Sequence, residues 1–386
     1  MKIFFVARGW PSKRDPQWGN FESDQALALR KMGLDVVVLS VDTRIRWYYR
    51  KLGVTKEVHS GIPHYNLYAG AIWVEIIRRI SVKLHISIKG FLIRKLFKKV
   101  VKAEGLPDVI YAHYLRMCSM ALALKRKYSI PVVGIEHWSE LGYSDIKDSV
   151  RYEASRTYPN MDCLLVVSSA LKENVKKNIG VDTIVLNNMV GKEFSYAPKE
   201  IKDHIVHFVT VGNLLPVKGF DNLINAFDLL HLPSETWSLK IIGGGKEHQH
   251  LQELINNLRL NKNIQLCGRK NRTEIIELLQ NSDIYVMSSR SETFGVAAIE
   301  ALACGLPIVA TDCGGARDFL TKENGLMCPV NDVKKLSEAI SQMYKNYKEY
   351  DKAMIASECQ RRFSSEAIGK QLEKIFEDVI SKSKQQ

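Results

Sequence analysis

The chain has 386 residues, 46% of them hydrophobic and 25% charged, with a formal net charge of +13 at pH 7. This length and composition predict a globular protein of two domains rather than one core. No apolar run approaches the roughly 18 residues of a spanning helix, and the seven cysteines form no CxxC pair. These features exclude a membrane span, a disulfide framework and a zinc site.

The first half alternates apolar strands with amphipathic helices. KIFFVAR at the N-terminus predicts a strand rather than a signal peptide, because Arg8 interrupts the apolar stretch. A helix ending at Gly33 follows, and further strand–helix pairs continue to DCLLVVSS. Continuous apolar strands are typical of a parallel sheet covered on both faces. Together with reduced cysteines, the missing signal peptide predicts a cytoplasmic protein.

A basic segment at residues 71–102 contains nine Lys and Arg and one acidic residue. All the excess positive charge of the chain lies in residues 1–195, which predicts an anionic partner: a membrane surface, a lipid phosphate or a nucleic acid. Within 88–102, five cations fall on one helical arc, namely Arg94, Lys95, Lys98, Lys99 and Lys102. The apolar residues Leu92, Ile93, Leu96, Phe97, Val100 and Val101 fall on the opposite arc. Two partly compatible interpretations remain open: a helix lying on an anionic membrane, or a helix packed by its apolar face.

Three strand ends of the first half carry candidate site residues. GIEHWSE places His137 at the end of an apolar strand, so it would face a cleft, and His113 occupies a similar strand end. The loop 9–19 follows the first strand, and Gly19 would let the backbone approach a ligand closely. These positions are candidates because ligands of doubly wound sheets bind at the carboxyl ends of strands.

The second half repeats the strand–helix pattern from about residue 205. The domain boundary is predicted near 194–203, where Pro198 and mixed charge interrupt the pattern, giving domains 1–195 and 196–364. Two doubly wound α/β sheets in tandem are the simplest assembly. The cleft between two such domains is the predicted active site.

Three motifs of the second half indicate phosphate and sugar chemistry. VGNLLPVKGF places Lys218 where a helix begins after a strand, and a helix N-terminus suits a diphosphate. In SETFGVAAIE, Glu292 lies in a loop, and Glu300 lies about two turns into the helix that starts near Gly295. Because Glu300 sits in an apolar helix, it needs a partner if buried. IIGGGKE and TDCGGARDF add glycine loops directly after strands, which favours a phosphate-facing rim.

These residues resemble the GT-B family of retaining glycosyltransferases called family 4, or glycosyl transferases group 1, which includes many bacterial capsule and O-antigen enzymes. VGNLLPVKGF is similar to its VGRL-x-x-KG loop, and SETFGVAAIEALACGLPIVATDCGG is similar to its E-x7-E block. The resemblance is close over about 205–345 and looser in the first half. It implies a GT-B fold of two Rossmann-like domains, with a C-terminal helix at about 365–386 returning to the first domain.

The resemblance implies roles for individual residues, with Lys218, Glu292 and His137 as the predicted catalytic group. Lys218 would bind the donor diphosphate, Glu292 would face the donor sugar, and His137 would lie near the reacting sugar carbon. Glu300 would accept hydrogen bonds from the ribose. Arg269 and Lys270 would lie beside the base. The backbone amides near sugar and phosphate would be those of Phe294, Gly295 and Val296. The remaining implied donor contacts are Gly19, Gly212 and Asn213.

One position departs from the family pattern. The family's loop normally has arginine where this chain has Asn213, five residues before Lys218. One phosphate charge is thereby lost, and more of the stabilisation of the leaving group rests on Lys218. There is no obvious DxD pair to hold a metal, so we expect the reaction to need neither metal nor other cofactor.

The resemblance also implies the substrates. The donor is expected to be a nucleoside-diphosphate sugar, with UDP favoured over GDP, and a hexosyl unit would move with retention to a glycan or lipid-linked acceptor of bacterial surface polysaccharide. The cytoplasmic enzyme could be attached to the inner face of the plasma membrane through 71–102. Alternatives are a same-fold epimerase or glycogen-type synthase, or a basic nucleic-acid-binding protein. The chain contains no nucleic-acid reading motif, so no nucleic-acid partner is predicted.

Overall fold

The computed structural model describes residues 1–15, 18–44, 50–70, 76–77, 80–143, 145–198, 204–230 and 232–385. The chain divides into two compact units. The first comprises Met1–Val167, Leu171–Asn187 and Ile368–Gln386, and the second comprises Ser168–Ala170 and Asn188–Ala367. The second unit thus begins before the predicted boundary at 195. Val190, which the prediction assigns to the first domain, belongs to the second unit, where its amide donates to the Phe363 carbonyl at 2.8 Å.

The first unit contains an eight-stranded sheet in the order β3-β4-β2-β1-β5-β6-β7-β8. Residues Ile3 to Ala7 of its central strand β1 are completely buried, which explains why the strand is apolar at every position rather than at alternate ones. The strands are β1 (Lys2–Ala7), β2 (Asp35–Asp42), β3 (Gly53–His59), β4 (Ile62–Tyr68), β5 (Val109–His113), β6 (Val132–Glu136), β7 (Cys163–Val166) and β8 (Ile184–Val185).

The edge of this sheet differs from the predicted parallel arrangement. β3 pairs antiparallel with β4, with Glu57 opposite His64, while the other pairs of the sheet are parallel. The side chains of β3, which lies at the edge of the sheet, are half-buried or exposed. A tight turn at Ser60–Gly61 joins the two strands, which leaves no room for the crossover that a parallel connection needs.

The second unit contains a six-stranded sheet in the order β11-β10-β9-β12-β13-β14, and its pairs are all parallel. Its core joins strand residues such as Phe208 and Leu239 to helix residues such as Leu223 and Ile340. The strands are β9 (Val206–Val211), β10 (Trp237–Ile242), β11 (Ile264–Leu266), β12 (Ile284–Met287), β13 (Ile308–Thr311) and β14 (Gly325–Cys328).

The helices follow the strands in the α/β order that the sequence predicts. The C-terminal helix begins at Ser365, as the predicted range did, and most of it belongs to the first unit. The helices are α1 (Asn20–Lys31), α2 (Val82–Glu104), α3 (Tyr114–Tyr128), α4 (Asp148–Thr157), α5 (Ser169–Ile179), α6 (Phe220–Asp228), α7 (His248–Asn257), α8 (Arg272–Gln280), α9 (Val296–Ala303), α10 (Val333–Asn346), α11 (Lys352–Phe363) and α12 (Ser365–Lys384).

The basic segment is only partly described, because 71–75 and 78–79 lie outside the described residues. Its described helix, α2, packs its apolar face into the first unit: Ile93, Leu96, Phe97 and Val100 are completely buried. The interpretation of a packed helix with an outward basic face is therefore the one the structure supports. Among the described helices, none is both long and apolar enough to cross a membrane. All seven cysteines are free thiols.

Candidate active site

The Lys218 loop connects β9 to α6 at the carboxyl end of the second sheet. A short 3-10 turn, Pro216–Lys218, ends at Gly219, whose φ of 63° lies in the left-handed region. A Cβ atom at Gly219 would lie 2.2 Å from the carbonyl oxygen of Ser288. The loop therefore needs glycine at this position, both for the backbone conformation and for its close approach to the loop after β12.

Hydrogen bonds fix the Lys218 loop to the loop after β12. The Ser288 hydroxyl donates to the Lys218 carbonyl at 3.0 Å, and the Arg290 amide donates to the Val217 carbonyl at 2.8 Å. The Arg290 guanidinium also donates to the Asp221 carboxylate at 2.6 Å, and this partner holds the pKa of Asp221 below its ordinary value against the effect of burial. These hydrogen bonds thus join the two loops at the strand ends, although the loops are far apart in the sequence.

Lys218 and Glu292 meet in this structure as an ion pair between Nζ and Oε1. The lysine side chain is 24% and the glutamate side chain 16% exposed. The Ser289 hydroxyl also donates to Glu292 Oε1, at 3.2 Å. On the backbone, the Glu292 amide donates to Cys313 and the Glu292 carbonyl accepts from Gly315. The structure therefore brings together two of the three predicted catalytic residues. The backbone hydrogen bonds to Cys313 and Gly315 fix the position of Glu292.

Glu300 lies at the same strand end, in the second turn of α9. The helix begins after Gly295, which has a φ of 104°, so the expected glycine start is confirmed. Burial raises the pKa of the Tyr285 phenol on β12, and the nearby charges of Glu292 and Glu300 raise it further. Burial and the Glu292 charge likewise raise the pKa of Cys313 to about 12. Glu292 thus acts on buried groups of two neighbouring strands, Tyr285 on β12 and Cys313 after β13, and Glu300 acts on Tyr285.

The glycine loop after β10 packs tightly against the Lys218 loop. A Cβ atom at Gly243 would lie 1.8 Å from the Gly212 carbonyl oxygen, and one at Gly245 would lie 2.3 Å from the Leu214 carbonyl oxygen. The Leu214 amide donates to the Gly244 carbonyl at 3.2 Å. The glycines therefore serve the packing of two loops against each other, and the exposed side chain of Asn213 lies on the outside of this packing.

The remaining predicted donor contacts of the second unit surround these loops. Arg269 is exposed, and its side-chain carbons approach Gly244. Lys270 is also exposed and donates to the Glu274 carboxylate at 3.0 Å. The Phe294 ring is completely buried and packs edge-on against Phe319 at 5.7 Å, so only its backbone is available to a ligand. Val296, the first residue of α9, is half-buried.

His137 and Gly19 belong to the first unit. His137 is buried after β6 in a stack of rings: its centroid lies 5.2 Å from Phe21 and 5.4 Å from His113, with nearly parallel planes. Gly19 precedes α1 with a φ of 83°, and a Cβ atom there would lie 2.4 Å from the Gly9 carbonyl oxygen. Since Phe21 belongs to α1, the structure brings the Gly19 loop and His137 together within this unit.

The sequence interpretation did not identify Glu136, which organises the His137 strand end. Its side chain is completely buried and accepts from the amides of His137 and Trp138 through one oxygen, and from the Leu115 amide and Tyr158 hydroxyl through the other. Burial raises its pKa, while these four donors oppose that rise. An acidic residue at the end of a continuous apolar strand is the sequence signal that could have identified it.

The sequence interpretation also missed Ser289 and Arg290, which lie between β12 and Glu292. This position could have suggested that they hold Glu292 in place.

A possible metal-binding group lies away from the candidate site. Among the described residues, Glu57, His59 and His64 could hold a metal ion, since their ligand atoms lie within 4.8 Å of one another. That group lies on the β3–β4 hairpin of the first unit, and none of its members is a predicted site residue.

Comparison with known proteins identifies the family from both halves of the chain. The family described as glycosyl transferases group 1 matches residues 192–358, and glycosyltransferase family 4 matches residues 23–191. An uncharacterised glycosyltransferase of Methanocaldococcus jannaschii is 31% identical over 294 residues, which cover 74% of this chain and 79% of that protein. A putative teichuronic acid biosynthesis glycosyltransferase of Bacillus subtilis is 26% identical over 367 residues, 88% of each chain.

A solved structure shows the same fold. The structure of Anabaena HepE in complex with UDP and glucose superposes with a TM-score of 0.73 at 18% identity, covering 98% of this chain and 100% of the other. The two mostly parallel Rossmann-like sheets, whose strands are connected mainly by helices, are the GT-B arrangement that the sequence predicts. Fold, motifs and relatives agree, and the chain belongs to the family 4 glycosyltransferases, as a transferase of GT-B fold.

Proposed function

We propose that this glycosyltransferase moves a hexosyl unit from a nucleoside-diphosphate sugar to a sugar hydroxyl with retention of configuration. The observation that carries the proposal is the ion pair of Lys218 with Glu292, held between two strand-end loops that are hydrogen-bonded to each other. Glu300 stands on the helix that follows the second loop. A cation, a loop carboxylate and a helix carboxylate at one sheet edge suit a diphosphate, a sugar and a ribose respectively.

The difficult step of this transfer is the departure of the nucleoside diphosphate. The bond between the anomeric carbon and the diphosphate oxygen breaks while positive charge develops on the sugar, so the enzyme must stabilise the departing anion. Lys218 and the amides at the start of α6 would supply that stabilisation, and Glu292 would orient the sugar. The acceptor hydroxyl forms the new bond on the same face and gives its proton to the departing phosphate oxygen. His137 would lie near the reacting carbon.

The donor is proposed to be a UDP-sugar. The structure of HepE, which has the same fold, holds UDP and glucose, which supports a uridine nucleotide. Arg269 and Lys270 would lie beside the base, and Gly212, Asn213 and the backbone of 294–296 beside phosphate and sugar. Because Lys218 and a helix N-terminus supply positive charge at the diphosphate, we propose that no metal is needed.

The test combines donor selection with product stereochemistry. Thermal shifts with a panel of UDP- and GDP-sugars identify the donor, and proton NMR of the product measures the anomeric coupling. We expect the largest shift with a UDP-sugar, an α-product from an α-donor, and full activity in EDTA. A β-product from an α-donor would refute retention, and conversion of the donor to an epimer without transfer would favour the epimerase alternative.

We further propose that the acceptor is a lipid-linked glycan and that the enzyme works at an anionic membrane surface. The Bacillus relative is named for teichuronic acid biosynthesis, which supports a surface polysaccharide. On α2, the side chains of Leu84 and Phe91 are 50% and 60% exposed. Beside them a groove of about 320 Å³ is lined by four cations and no carboxylate: Lys83, Arg94, Arg126 and Arg156. Apolar side chains next to cations suit the surface of an anionic bilayer.

Liposome flotation tests the membrane proposal. We expect flotation with vesicles containing phosphatidylglycerol, reduced flotation with pure phosphatidylcholine, and loss of binding in a Leu84→Ser, Phe91→Ser variant. Both residues are exposed, so their replacement should leave the fold intact. Equal flotation with neutral and anionic vesicles, or none with either, would refute the proposal.

A further inference from the structure

The β3–β4 hairpin places three possible metal ligands on one face at the edge of the first sheet. Its two turn residues, Ser60 and Gly61, both have positive φ, 50° and 80°, and such a two-residue turn fixes the register of the strands. Glu57 lies directly opposite His64, and His59 follows Glu57 by two residues. Side chains that are directly opposite or two residues apart share one face of a sheet, so the three lie together.

The spacing of these side chains is close to that of ligands around one ion. One ligand atom from each of the three lies within 4.8 Å of the other two. His59 Nε2 is 3.2 Å from Glu57 Oε2, yet this solvent-shielded nitrogen makes no hydrogen bond to any described residue. Two ligand atoms that are each about 2.0–2.1 Å from a tetrahedral zinc ion are about 3.3 Å apart. The contact therefore has the length expected of two ligands of one ion, and the 65% exposed Glu57 side chain is free to adjust its rotamer.

A chain of hydrogen bonds determines which nitrogen of His64 carries the proton. The Ser40 hydroxyl donates its single hydrogen to Asn66 Oδ1 at 2.8 Å, so its oxygen accepts from His64 Nε2, also at 2.8 Å. Nδ1 of the neutral ring then has a free lone pair, and this buried atom has no hydrogen-bond partner among the described residues. Metal-binding histidines usually donate their other N–H to an acceptor in this way, which fixes both the tautomer and the orientation of the ring.

Both imidazoles are held in place before any ion binds. The His59 ring stacks on Trp10, from the loop after β1, with centroids 4.8 Å apart and planes within 5°. The His64 ring is only 7% exposed, and its centroid lies 5.7 Å from that of His59. Burial and the nearby His59 lower the pKa of His64 to about 4, so its ring is neutral at pH 7. Ligands fixed in this way lose little conformational entropy when they bind.

We propose that Glu57, His59 and His64 form a zinc site, here named the hairpin zinc site. Two imidazoles and one carboxylate suit zinc, and three protein ligands leave a fourth position for water or another ligand. The absence of CxxC pairs excludes only a cysteine zinc site, and this site uses no cysteine.

Bound zinc would join the edge strand β3 to β4 and thereby stabilise the first unit. The hairpin zinc site is separate from the proposed transfer reaction, for which we propose no metal. Its three ligands belong to the first unit, none of them is a predicted donor contact, and the predicted diphosphate ligand, Lys218, belongs to the second unit. Removal of zinc should therefore lower the stability of the protein without abolishing transfer.

Zinc titration of the full chain, after treatment with EDTA and dialysis, tests the proposal. Calorimetry measures the affinity and stoichiometry, and thermal unfolding measures the stabilisation. We expect zinc at about 100 times its Kd to raise the unfolding midpoint by about 5–10 °C. Mg²⁺ prefers oxygen ligands and should not raise it. An equal rise with Mg²⁺, or no rise with zinc, would overturn the proposal.

Ligand variants separate this site from adventitious zinc binding. Glu57 is exposed and His59 half-buried, so we expect Glu57→Gln and His59→Gln to fold and to bind zinc at least about 100-fold more weakly. The matched control is the double variant His248→Gln, His250→Gln on α7, whose side chains are exposed and which should bind zinc normally. Unchanged affinity in the two ligand variants, or lost affinity in the control, would overturn the hairpin zinc site.

A further variant tests the hydrogen-bond chain behind His64. Ser40→Ala keeps all three ligands but removes the acceptor of the His64 Nε2 proton, so zinc affinity should fall about 10–100-fold. Urea unfolding in EDTA shows that the variant folds. Unchanged zinc affinity in the folded Ser40→Ala protein would refute the assignment of His64 Nδ1 as a ligand.

Discussion

Replacing Lys218 by methionine removes the ammonium group while preserving most of the volume of the side chain. In the structure, this ammonium pairs with Glu292, which then retains the Ser289 hydroxyl at 3.2 Å as its remaining side-chain donor in the contacts described above. The variant therefore tests two quantities separately: the contribution of the ion pair to folding, and the contribution of the positive charge to departure of the diphosphate.

The structure sets the size of both effects. The two side chains are 24% and 16% exposed, between the exposed pairs worth about 0–1 kcal/mol and the buried pairs whose breaking costs about 3–5 kcal/mol. We expect a loss of about 1–2 kcal/mol in the free energy of unfolding. Removing one preorganised donor from a developing anion costs about 3–4 kcal/mol, or a factor of about 100–1,000 in kcat. Since domains are stable by about 5–15 kcal/mol, we expect the variant to stay folded. The loss of kcat would then come from the missing positive charge at the leaving group and not from unfolding.

The assay measures release of the nucleoside diphosphate for kcat and KM, and urea unfolding for stability. The matched control is Lys335→Met, which breaks an exposed ion pair with Glu338 on α10, where the side chains are 56% and 49% exposed. The control should change neither kcat nor stability measurably. If Lys218→Met kept kcat within about threefold of the original enzyme, the assigned role in leaving-group stabilisation would be refuted.

Two further predictions concern stability. Gly219→Ala should destabilise the second unit by at least about 2 kcal/mol and lower kcat, because a left-handed residue gains a Cβ atom 2.2 Å from the Ser288 carbonyl oxygen; an unchanged urea midpoint would contradict this. Burial and the nearby His59 lower the pKa of His64 to about 4. As the pH falls, the unfolded chain therefore binds this proton before the folded protein does, and the free energy of unfolding should fall by about 3 kcal/mol between pH 6.5 and 4. In His64→Gln, urea midpoints at pH 7.5 and 4.5 should differ less than in the original protein, and an equal difference would show that other groups cause the loss of stability at low pH.

Local sequence patterns determined the architecture of this protein and the positions of its candidate donor residues. Continuous apolar runs predict buried parallel strands because each residue of such a strand faces a covered side of the sheet. Lys218, Glu292 and Glu300 were located because their motifs directly follow strands, and the carboxyl ends of parallel strands lie at one edge. The helix that starts after Gly295 could also be predicted, since a glycine boundary is a local signal.

Only the tertiary structure decided which distant groups meet. The buried Glu136 carboxylate accepts from Leu115 and Tyr158, which lie elsewhere in the chain, and Gly219 contacts the distant Ser288. The helical arcs of α2 are the same whether its apolar face meets a core or a bilayer, so the sequence left both open. The completely buried Phe97 shows that the apolar face packs into the first unit, and the exposed face is the one proposed to meet a membrane. Periodicity reports the faces of one element, whereas the Lys218–Glu292 ion pair joins two loops that are far apart in the sequence, and only packing brings those loops together.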